Sequence, residues 1–273
     1  MRTAVVGHVE WVDFARVERV PSPGEIVTAE RDWALPAGGG AVAAVQLARL
    51  AGECTFLTAL GDDELGERSR RELEQLGVRV EAAIRAGKPT RRAFTFLDAS
   101  AERTITVLGE RLHPERGDAL PWDELAEVDA LYFTAGDTGA LAAARAARVL
   151  VATARAMDVI AAGGVELDAI VRSGRDPSEQ YRGYEPRPRF VVTTAGAGGG
   201  RWESADGRTG EWAAAALPGP PADSYGCGDS FAAGLAFGLA RDGELPAALE
   251  LAARCGAVCL TGEGPYEQQL TLA

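Results

Sequence analysis

The sequence predicts an α/β protein built on a mainly parallel β-sheet. Short apolar segments typical of buried strands alternate with amphipathic or alanine-rich helical segments along almost the whole chain. The 273 residues are 47% hydrophobic and 25% charged, which is ample for a sizeable core. No linker, internal repeat or low-complexity tail divides the chain, so we expect one domain over residues 1–273.

The first half of the chain predicts a regular succession of strands and helices. Apolar runs favour strands over residues 3–9 and 55–60, and amphipathic spacing favours helices over 41–52 and 67–76. Two β-rich segments, 91–98 and 103–108, are separated by a polar turn and predict a hairpin.

The second half continues the alternation. It predicts strands over residues 130–134, 159–162 and 190–194, an alanine- and arginine-rich helix over 140–157 and a closing helix over 246–260. Between these segments, Asp176 as N-cap, Pro177 in the first helical position and Glu179 two residues later predict a capped helix start.

Charge and composition disfavour some classes of partner. The formal net charge of −12 argues against nucleic acid and an anionic membrane surface. Lys88 is the only lysine, which excludes a lysine-containing P-loop. There is no basic-then-apolar leader and no apolar run of about 18 residues. We therefore expect a cytoplasmic protein whose four cysteines are reduced.

The most informative stretch is residues 222–240, A-D-S-Y-G-C-G-D-S-F-A-A-G-L-A-F-G-L-A. A turn, Gly226-Cys227-Gly228, precedes Asp229 where a helix is predicted to begin. The free N–H groups and positive dipole end of a helix start can cradle an anion, and a neighbouring carboxylate can accept a proton. Together these features suit phosphoryl transfer to an alcohol. The structural alternative is a loop with an aspartate cap.

The string D-S-Y-G-C-G-D-S-F-A-A-G resembles the signature D-T-x-G-A-G-D-x-F-x-x-G of the ribokinase-like (PfkB) carbohydrate kinases. Further family segments follow in the expected order: G-H-V-E-W-V-D-F, P-G-E, the glycine run 38–40, G-D-D-E-L-G, D-P-S-E and T-A-G. The resemblance implies a three-layer α/β/α fold with a small β lid near residues 26–35 and 91–108. In this lid, residues 26–29 and 33–35, which follow the P-G-E segment, would form two strands. It also implies transfer of the γ-phosphoryl group of ATP to a hydroxymethyl group of a sugar.

The resemblance also implies roles for individual residues. Asp229 would be the general base, and the backbone N–H groups of Gly226, Cys227 and Gly228 would form the anion hole. Glu179 would act on Mg²⁺ through water, and Asp223 is the candidate for a monovalent cation, K⁺. The expected substrate residues are Asp13, Gly38, Gly39 and Arg103, and the expected nucleotide residues are Thr194, Gly196, Gly199, Gly226 and Gly228.

Several of these residues also have purely structural interpretations. Asp13 could be a turn or cap residue, the glycine run could be a flexible hinge, and D-P-S-E could be only a helix cap. Three segments depart from the family pattern. Asp176 replaces the asparagine of the family's N-x-x-E motif, and the other two departures lie at the substrate end. Ala43 stands where the family has an asparagine that contacts the sugar, and Glu110-Arg111 follow Gly109 where the family has G-A-N.

Three alternatives to a sugar kinase stay open. A sugar-phosphate kinase would need a cationic grip on the acceptor, and four arginines near the lid are available, although solvated lid charges are the favoured interpretation. A nucleoside kinase could stack a base on Trp11, Phe14 or Trp33. A non-catalytic sugar or nucleotide sensor is the third. An exposed apolar lid face would favour a homodimer. The four arginines are Arg91, Arg92, Arg103 and Arg111.

Overall fold

Strands and helices alternate along the computed structural model, which describes residues 1–272. The strands, numbered along the chain, are β1 Thr3–Val6, β2 Glu10–Arg16, β3 Arg31–Ala37, β4 Cys54–Gly61, β5 Val78–Arg85, β6 Arg92–Leu97, β7 Arg103–Leu108, β8 Ala130–Phe133, β9 Val149–Thr153, β10 Ala169–Ser173, β11 Phe190–Thr194, β12 Gly200–Ser204 and β13 Thr209–Trp212. The helices are α1 Gly39–Ala51, α2 Glu64–Gln75, α3 Thr138–Ala144, α4 Met157–Gly163, α5 Cys227–Asp242 and α6 Leu245–Cys259.

The larger sheet has nine strands in the order β13-β12-β11-β10-β9-β8-β1-β4-β5. All strands from β11 to β5 in this order run parallel, and β12 and β13 add an antiparallel edge. Parallel strands place their carboxyl ends at one edge, where α/β proteins bind ligands. The prediction of an α/β protein with a mainly parallel sheet is confirmed.

Helices cover both faces of this sheet. Val5 belongs to the hydrophobic core on the side of α1, α5 and α6, whereas its neighbours Ala4 and Val6 belong to the core with α3 and α4. Successive strand side chains point to opposite faces, so a strand buried on both sides is apolar throughout. The layers are therefore helix, sheet, helix, as predicted.

The smaller sheet, the lid, has the order β3-β2-β6-β7. Strand β2 pairs antiparallel with β3 and parallel with β6, and β6 and β7 form the predicted antiparallel hairpin. Because β2 begins at Glu10 and β1 ends at Val6, only residues 7–9 separate the main sheet from the lid. The sequence did not predict β2 as a strand of the lid.

The predicted strand over 26–29 is wrong, because this segment is irregular and Ile26 is 99% exposed. Arg16 pairs with Arg31, so the β2–β3 ladder ends before the segment is reached. The predicted helix over 140–157 is also wrong. It is interrupted by β9, whose buried run V-L-V-A-T suits a central strand, and residues 159–162 lie in α4 instead of a strand.

No helix begins at residues 176–179. The segment forms a turn in which the Asp176 carboxylate accepts hydrogen bonds from the Ser178 N–H and hydroxyl group. Strands β5, β10, β12 and β13 were not predicted. Within residues 1–272, no helix is both long and apolar enough to span a bilayer, and the four cysteines are free thiols.

Candidate active site

The start of α5 has the geometry of an anion-binding turn. Gly226 is the N-cap residue with φ of 81°, and a Cβ there would stand 2.9 Å from Cγ1 of Val42. Both facts require glycine at this position. No side chain caps this helix start, so its first N–H groups are free to bind a ligand. Gly228 is exposed, and a Cβ there would meet no atom within 4 Å, which leaves the approach to the turn open.

Asp229 lies in the first turn of α5 and is partly buried. Its carboxylate faces Gly39, the first residue of α1. Burial raises the pKa of Asp229 to about 6, with Arg155 opposing the shift and Glu179 adding to it. A carboxylate with this pKa is ionised at neutral pH and is a stronger base than an exposed aspartate.

Arg155, which the sequence did not single out, connects Asp229 with the 176–179 turn. Its Nε lies 2.9 Å from Oε1 of Glu179, and its Nη2 lies 2.6 Å from Oδ2 of Asp176. The other Glu179 oxygen accepts a 2.6 Å hydrogen bond from the Ser173 N–H. Arg155 was missed because it follows β9, which the sequence placed inside a helix. Had β9 been predicted, the position of Arg155 just after the carboxyl end of a parallel strand would have marked it as a candidate site residue.

The glycine run 38–40 separates Asp229 from two buried polar side chains, His8 and Glu10. A Cβ on Gly38 would stand 3.2 Å from both His8 Nε2 and Glu10 Cγ, and the Gly38 N–H donates to Tyr225 Oη at 3.1 Å. Burial raises the pKa of Glu10, and Arg91 opposes this shift. The Glu10 charge in turn adds to the raised pKa of Asp229.

Asp13 is an odd-numbered residue of β2 and therefore projects from the face opposite to Glu10. Its Oδ2 accepts a 2.8 Å hydrogen bond from Nη2 of Arg92. The structure thus brings Glu10, and not the predicted Asp13, to the glycine run. Glu10 and Asp13 both lie in the segment G-H-V-E-W-V-D-F. Because side chains in a strand alternate between its two faces, the two carboxylates project from opposite faces.

Arg103 links the lid to the signature turn. Its Nη1 donates to the Ser224 carbonyl oxygen at 3.1 Å and to the Ser224 hydroxyl at 3.3 Å. The charge of Arg103 lowers the pKa of Asp229, against the larger effect of burial. Arg103 therefore joins the lid to the segment that leads into α5.

A cavity of about 600 Å³ opens beside the start of α5. Four of the predicted nucleotide residues line it, and Trp212 and Phe231 stack at its wall with ring centroids 5.7 Å apart. A Cβ on Gly196 would stand 3.2 Å from Nη1 of Arg175, so this guanidinium also lies at the cavity. The four predicted residues are Thr194, Gly196, Gly199 and Gly228.

The two predicted metal residues are already held by the protein. Both Glu179 oxygens have protein partners, in Arg155 and Ser173. Asp223 is fully buried, and its oxygens accept from the Tyr225 N–H at 2.7 Å and the Gly264 N–H at 2.9 Å. Residues 1–272 contain no group of three acidic, histidine or cysteine side chains that could cage a metal.

Comparison with known proteins agrees with this geometry. The family model described as pfkB family carbohydrate kinase matches residues 2–181 and 141–271. An ATP-dependent ribose-1-phosphate kinase from Halopiger xanaduensis is 28% identical over 291 aligned residues, which cover 97% of this chain and 93% of the relative.

Solved structures confirm the fold. A ribokinase from Thermotoga maritima has a TM-score of 0.76 at 18% identity and covers 99% of this chain and 96% of its own. An Arabidopsis thaliana ribokinase complexed with ribose and ATP has a TM-score of 0.73 at 17% identity, with coverages of 98% and 95%. The resemblance and the ribokinase-like fold predicted from the motifs are both confirmed. The chain belongs to the PfkB family of carbohydrate kinases.

Proposed function

We propose that the protein transfers the γ-phosphoryl group of ATP to a hydroxymethyl group of a sugar, with Asp229 as general base. The observation that carries this proposal is the position of Asp229, with its pKa raised to about 6, between an open anion-binding turn and the glycine run. ATP would occupy the cavity of about 600 Å³ on one side of the turn. The sugar would lie on the other side, beneath the lid.

In the proposed reaction the acceptor hydroxyl gives its proton to the Asp229 carboxylate as its oxygen attacks the γ-phosphorus. The bond between the γ-phosphorus and the β,γ-bridging oxygen breaks, and ADP leaves with that electron pair. The N–H groups of Gly226, Cys227 and Gly228 stabilise the charge that develops on the transferred group. One such donor contributes about 3 kcal/mol to lowering the barrier. Arg103 and Arg175, at the cavity wall, add positive charge beside the phosphates.

Mg²⁺ would be bound chiefly by the nucleotide phosphates, whose charge it neutralises, and Glu179 would approach it through water. Because Arg155 pairs with Glu179 at 2.9 Å, the protein also supplies its own positive charge at this position. Binding of K⁺ near Asp223 and a homodimer through the lid are further proposals. They are tested by salt dependence and by the mass of the protein in solution.

The acceptor side favours a sugar over a nucleoside. Phe14 and Trp33 stack on each other with centroids 5.2 Å apart, and Tyr225 packs edge-on against Phe14. Trp11 is buried beneath the Arg68 guanidinium. Each of these rings already packs against a protein partner, which leaves less of its surface for stacking on a base. The name of the Halopiger relative supports including phosphorylated sugars among the candidate acceptors.

The test is ADP release from Mg·ATP across a panel of sugars, sugar phosphates and nucleosides, with and without K⁺. We expect a strong response to one class of acceptor. Asp229→Asn should lower turnover at least about a hundredfold while ATP still binds. Near-normal turnover in this variant would contradict the role of Asp229. ATP binding without turnover on any acceptor would favour the sensor alternative.

A further inference from the structure

The last two helices pack closely against each other in a fixed register. A Cβ on Gly238 of α5 would stand 2.7 Å from Cα of Ala248 in α6, and a Cβ on Gly234 would stand 3.0 Å from Cα of Ala252. A step of four residues back along α5 therefore corresponds to a step of four residues forward along α6, as in antiparallel neighbours. The two glycines permit this close approach, because a side chain at either position would push the helices apart.

The same register brings two cysteines together at the end of the helix pair that carries the anion-binding turn. Cys227 is the first residue of α5, and Cys259 is the last residue of α6. A Cβ on Gly256, about one turn before Cys259, would stand 3.2 Å from the Cys227 carbonyl oxygen and 3.7 Å from Cβ of Phe231. Because residues three apart share a helix face, Cys259 lies on the face of α6 that packs against the start of α5.

The two thiols contact the segment 223–226 and each other. Sγ of Cys227 lies 3.8 Å from the Asp223 carbonyl oxygen, and Sγ of Cys259 lies 3.6 Å from the Tyr225 carbonyl oxygen. A hydrogen bond between the two thiols raises the pKa of Cys227 and lowers the pKa of Cys259. The two sulfurs are therefore neighbours, and the Cys227 thiol donates its proton toward the Cys259 sulfur.

The four cysteines differ in their access to solvent. Cys259 is fully buried, whereas Cys227 is partly exposed and lines the cavity of about 600 Å³. Cys227 also lies at a helix N-terminus near the positive charge of Arg103, a setting in which thiols react. Cys54 and Cys255 are buried, and burial raises the pKa of each to about 12, so they are inert by comparison.

We propose that Cys227 and Cys259 form a reversible disulfide under oxidation by a peroxide, and that this bond disables the anion-binding turn. The Cys227 sulfur attacks hydrogen peroxide, the O–O bond breaks, and the thiol proton leaves with the departing hydroxide as water, which gives a sulfenic acid. The Cys259 sulfur then attacks the Cys227 sulfur, the S–O bond breaks, and hydroxide leaves with the Cys259 proton as water. The two sulfurs together lose two electrons, which reduce the peroxide to water.

The disulfide distorts the turn because its geometry is strict. The two sulfurs must approach to about 2.05 Å, so the Cys227 side chain has to turn toward α6. Cys227 also supplies one of the backbone N–H groups of the proposed anion hole, and a displaced donor stabilises a phosphoryl group less well. A nucleotide bound in the cavity covers Cys227 and slows its oxidation.

The first measurement is mass spectrometry after treatment with hydrogen peroxide and digestion without a reducing agent. We expect peptides joined through Cys227 and Cys259, identified by fragmentation, with a mass about 2 Da below that of the two thiol peptides together. Cys259→Ala and the near-isosteric Cys259→Ser should prevent this bond and keep the turnover of the untreated protein. Cys255→Ala, the matched control about one helical turn away, should still form it. Absence of the bond in the unmodified protein, or a bond through Cys255, would overturn the inference.

The second measurement compares reduced and peroxide-treated protein in ADP release and in calorimetric binding of ATP. We expect oxidation to lower turnover and ATP affinity by about tenfold or more, because one donor of the anion hole moves. Dithiothreitol should restore both, and ATP present during the treatment should slow formation of the disulfide. In Cys259→Ala the loss that dithiothreitol reverses should disappear.

The loss of turnover rests on the proposed function, whereas the disulfide and ATP binding can be measured without it. If no acceptor supports turnover, the proposed reaction fails, and weakened ATP binding in the oxidised protein still supports the inference. Unchanged turnover and unchanged ATP binding in protein that carries the disulfide would overturn the inference and leave the proposed reaction intact.

Discussion

The Cβ position of Gly39 lies 2.6 Å from Oδ1 of Asp229, closer than any side chain can approach a carboxylate oxygen without displacing it. Gly39→Ala should therefore push the carboxylate aside. Helix α1 itself should tolerate the change, because alanine favours helices by about 1 kcal/mol over glycine. We expect kcat to fall about a hundredfold with little change in melting temperature, since a displacement of about 1 Å can cost this much.

Gly117→Ala is the matched control for this prediction. A Cβ there meets no atom within 4 Å, and the residue does not have positive φ. The turnover of Gly117→Ala should equal that of the unmodified protein. Unchanged kcat in Gly39→Ala would show that the contact between α1 and the Asp229 carboxylate does not position the base.

The raised pKa of Asp229 predicts the pH dependence of the reaction. The base must be ionised to accept a proton, so kcat/KM should fall about tenfold per unit below a pKa of about 6 and level off above it. A profile whose acid limb lies near pH 4 would mean that Asp229 is not desolvated in the free enzyme.

The same pKa has a consequence for stability. The folded pKa lies above the value of 3.8 for an ordinary aspartate, so the folded state binds more protons between these values and loses stability as pH rises through this window. Asp229→Asn removes the ionisation. It should match the unmodified protein near pH 4 and exceed it by up to about 3 kcal/mol at pH 8. Urea unfolding at both pH values measures the difference, and equal stability at pH 8 would contradict the desolvation.

The sequence predicted most of the parallel sheet because its strands are apolar and short, and it located the turn at 226–228 from local chemistry alone. It failed at β9. The surrounding alanines and arginines favour a helix locally, and the position between β8 and β10 overrides this preference. Arg155 was missed because β9 was not predicted. A residue can be placed at the end of a strand only when the strand itself has been predicted.

Glu10 was overlooked for a different reason. A shift of one residue moves a side chain to the other face of a strand, and the sequence did not predict that β2 is a strand. The role of Asp13 in substrate binding stays a prediction.

Arg155 should act as a positioning residue for Glu179 and as an electrostatic partner of Asp229. Its charge lowers the pKa of Asp229, so Arg155→Met should move the acid limb of the pH profile to higher pH. The substitution also leaves the Glu179 carboxylate, whose side chain is only 14% exposed, without the cation that pairs with it. Arg148→Met, which removes an exposed pair with Asp129, is the control and should leave the profile unchanged. An unmoved acid limb in Arg155→Met would limit this residue to a structural role.

The proposed anion hole uses the backbone of Cys227 and not its thiol. A hydrogen bond with Cys259 and burial raise the pKa of Cys227, so the thiol stays protonated, and its Sγ lies 3.8 Å from the Asp223 carbonyl oxygen. The related signature has alanine at this position, and alanine keeps the N–H group. Cys227→Ala should therefore retain turnover within about threefold, because a contact this long contributes little.

Cys227→Pro removes the backbone N–H group, while the proline ring suits the first position of a helix. It should lower kcat about a hundredfold, as expected for one lost donor. Full activity in the proline variant, with folding verified by circular dichroism, would remove this N–H group from the anion hole.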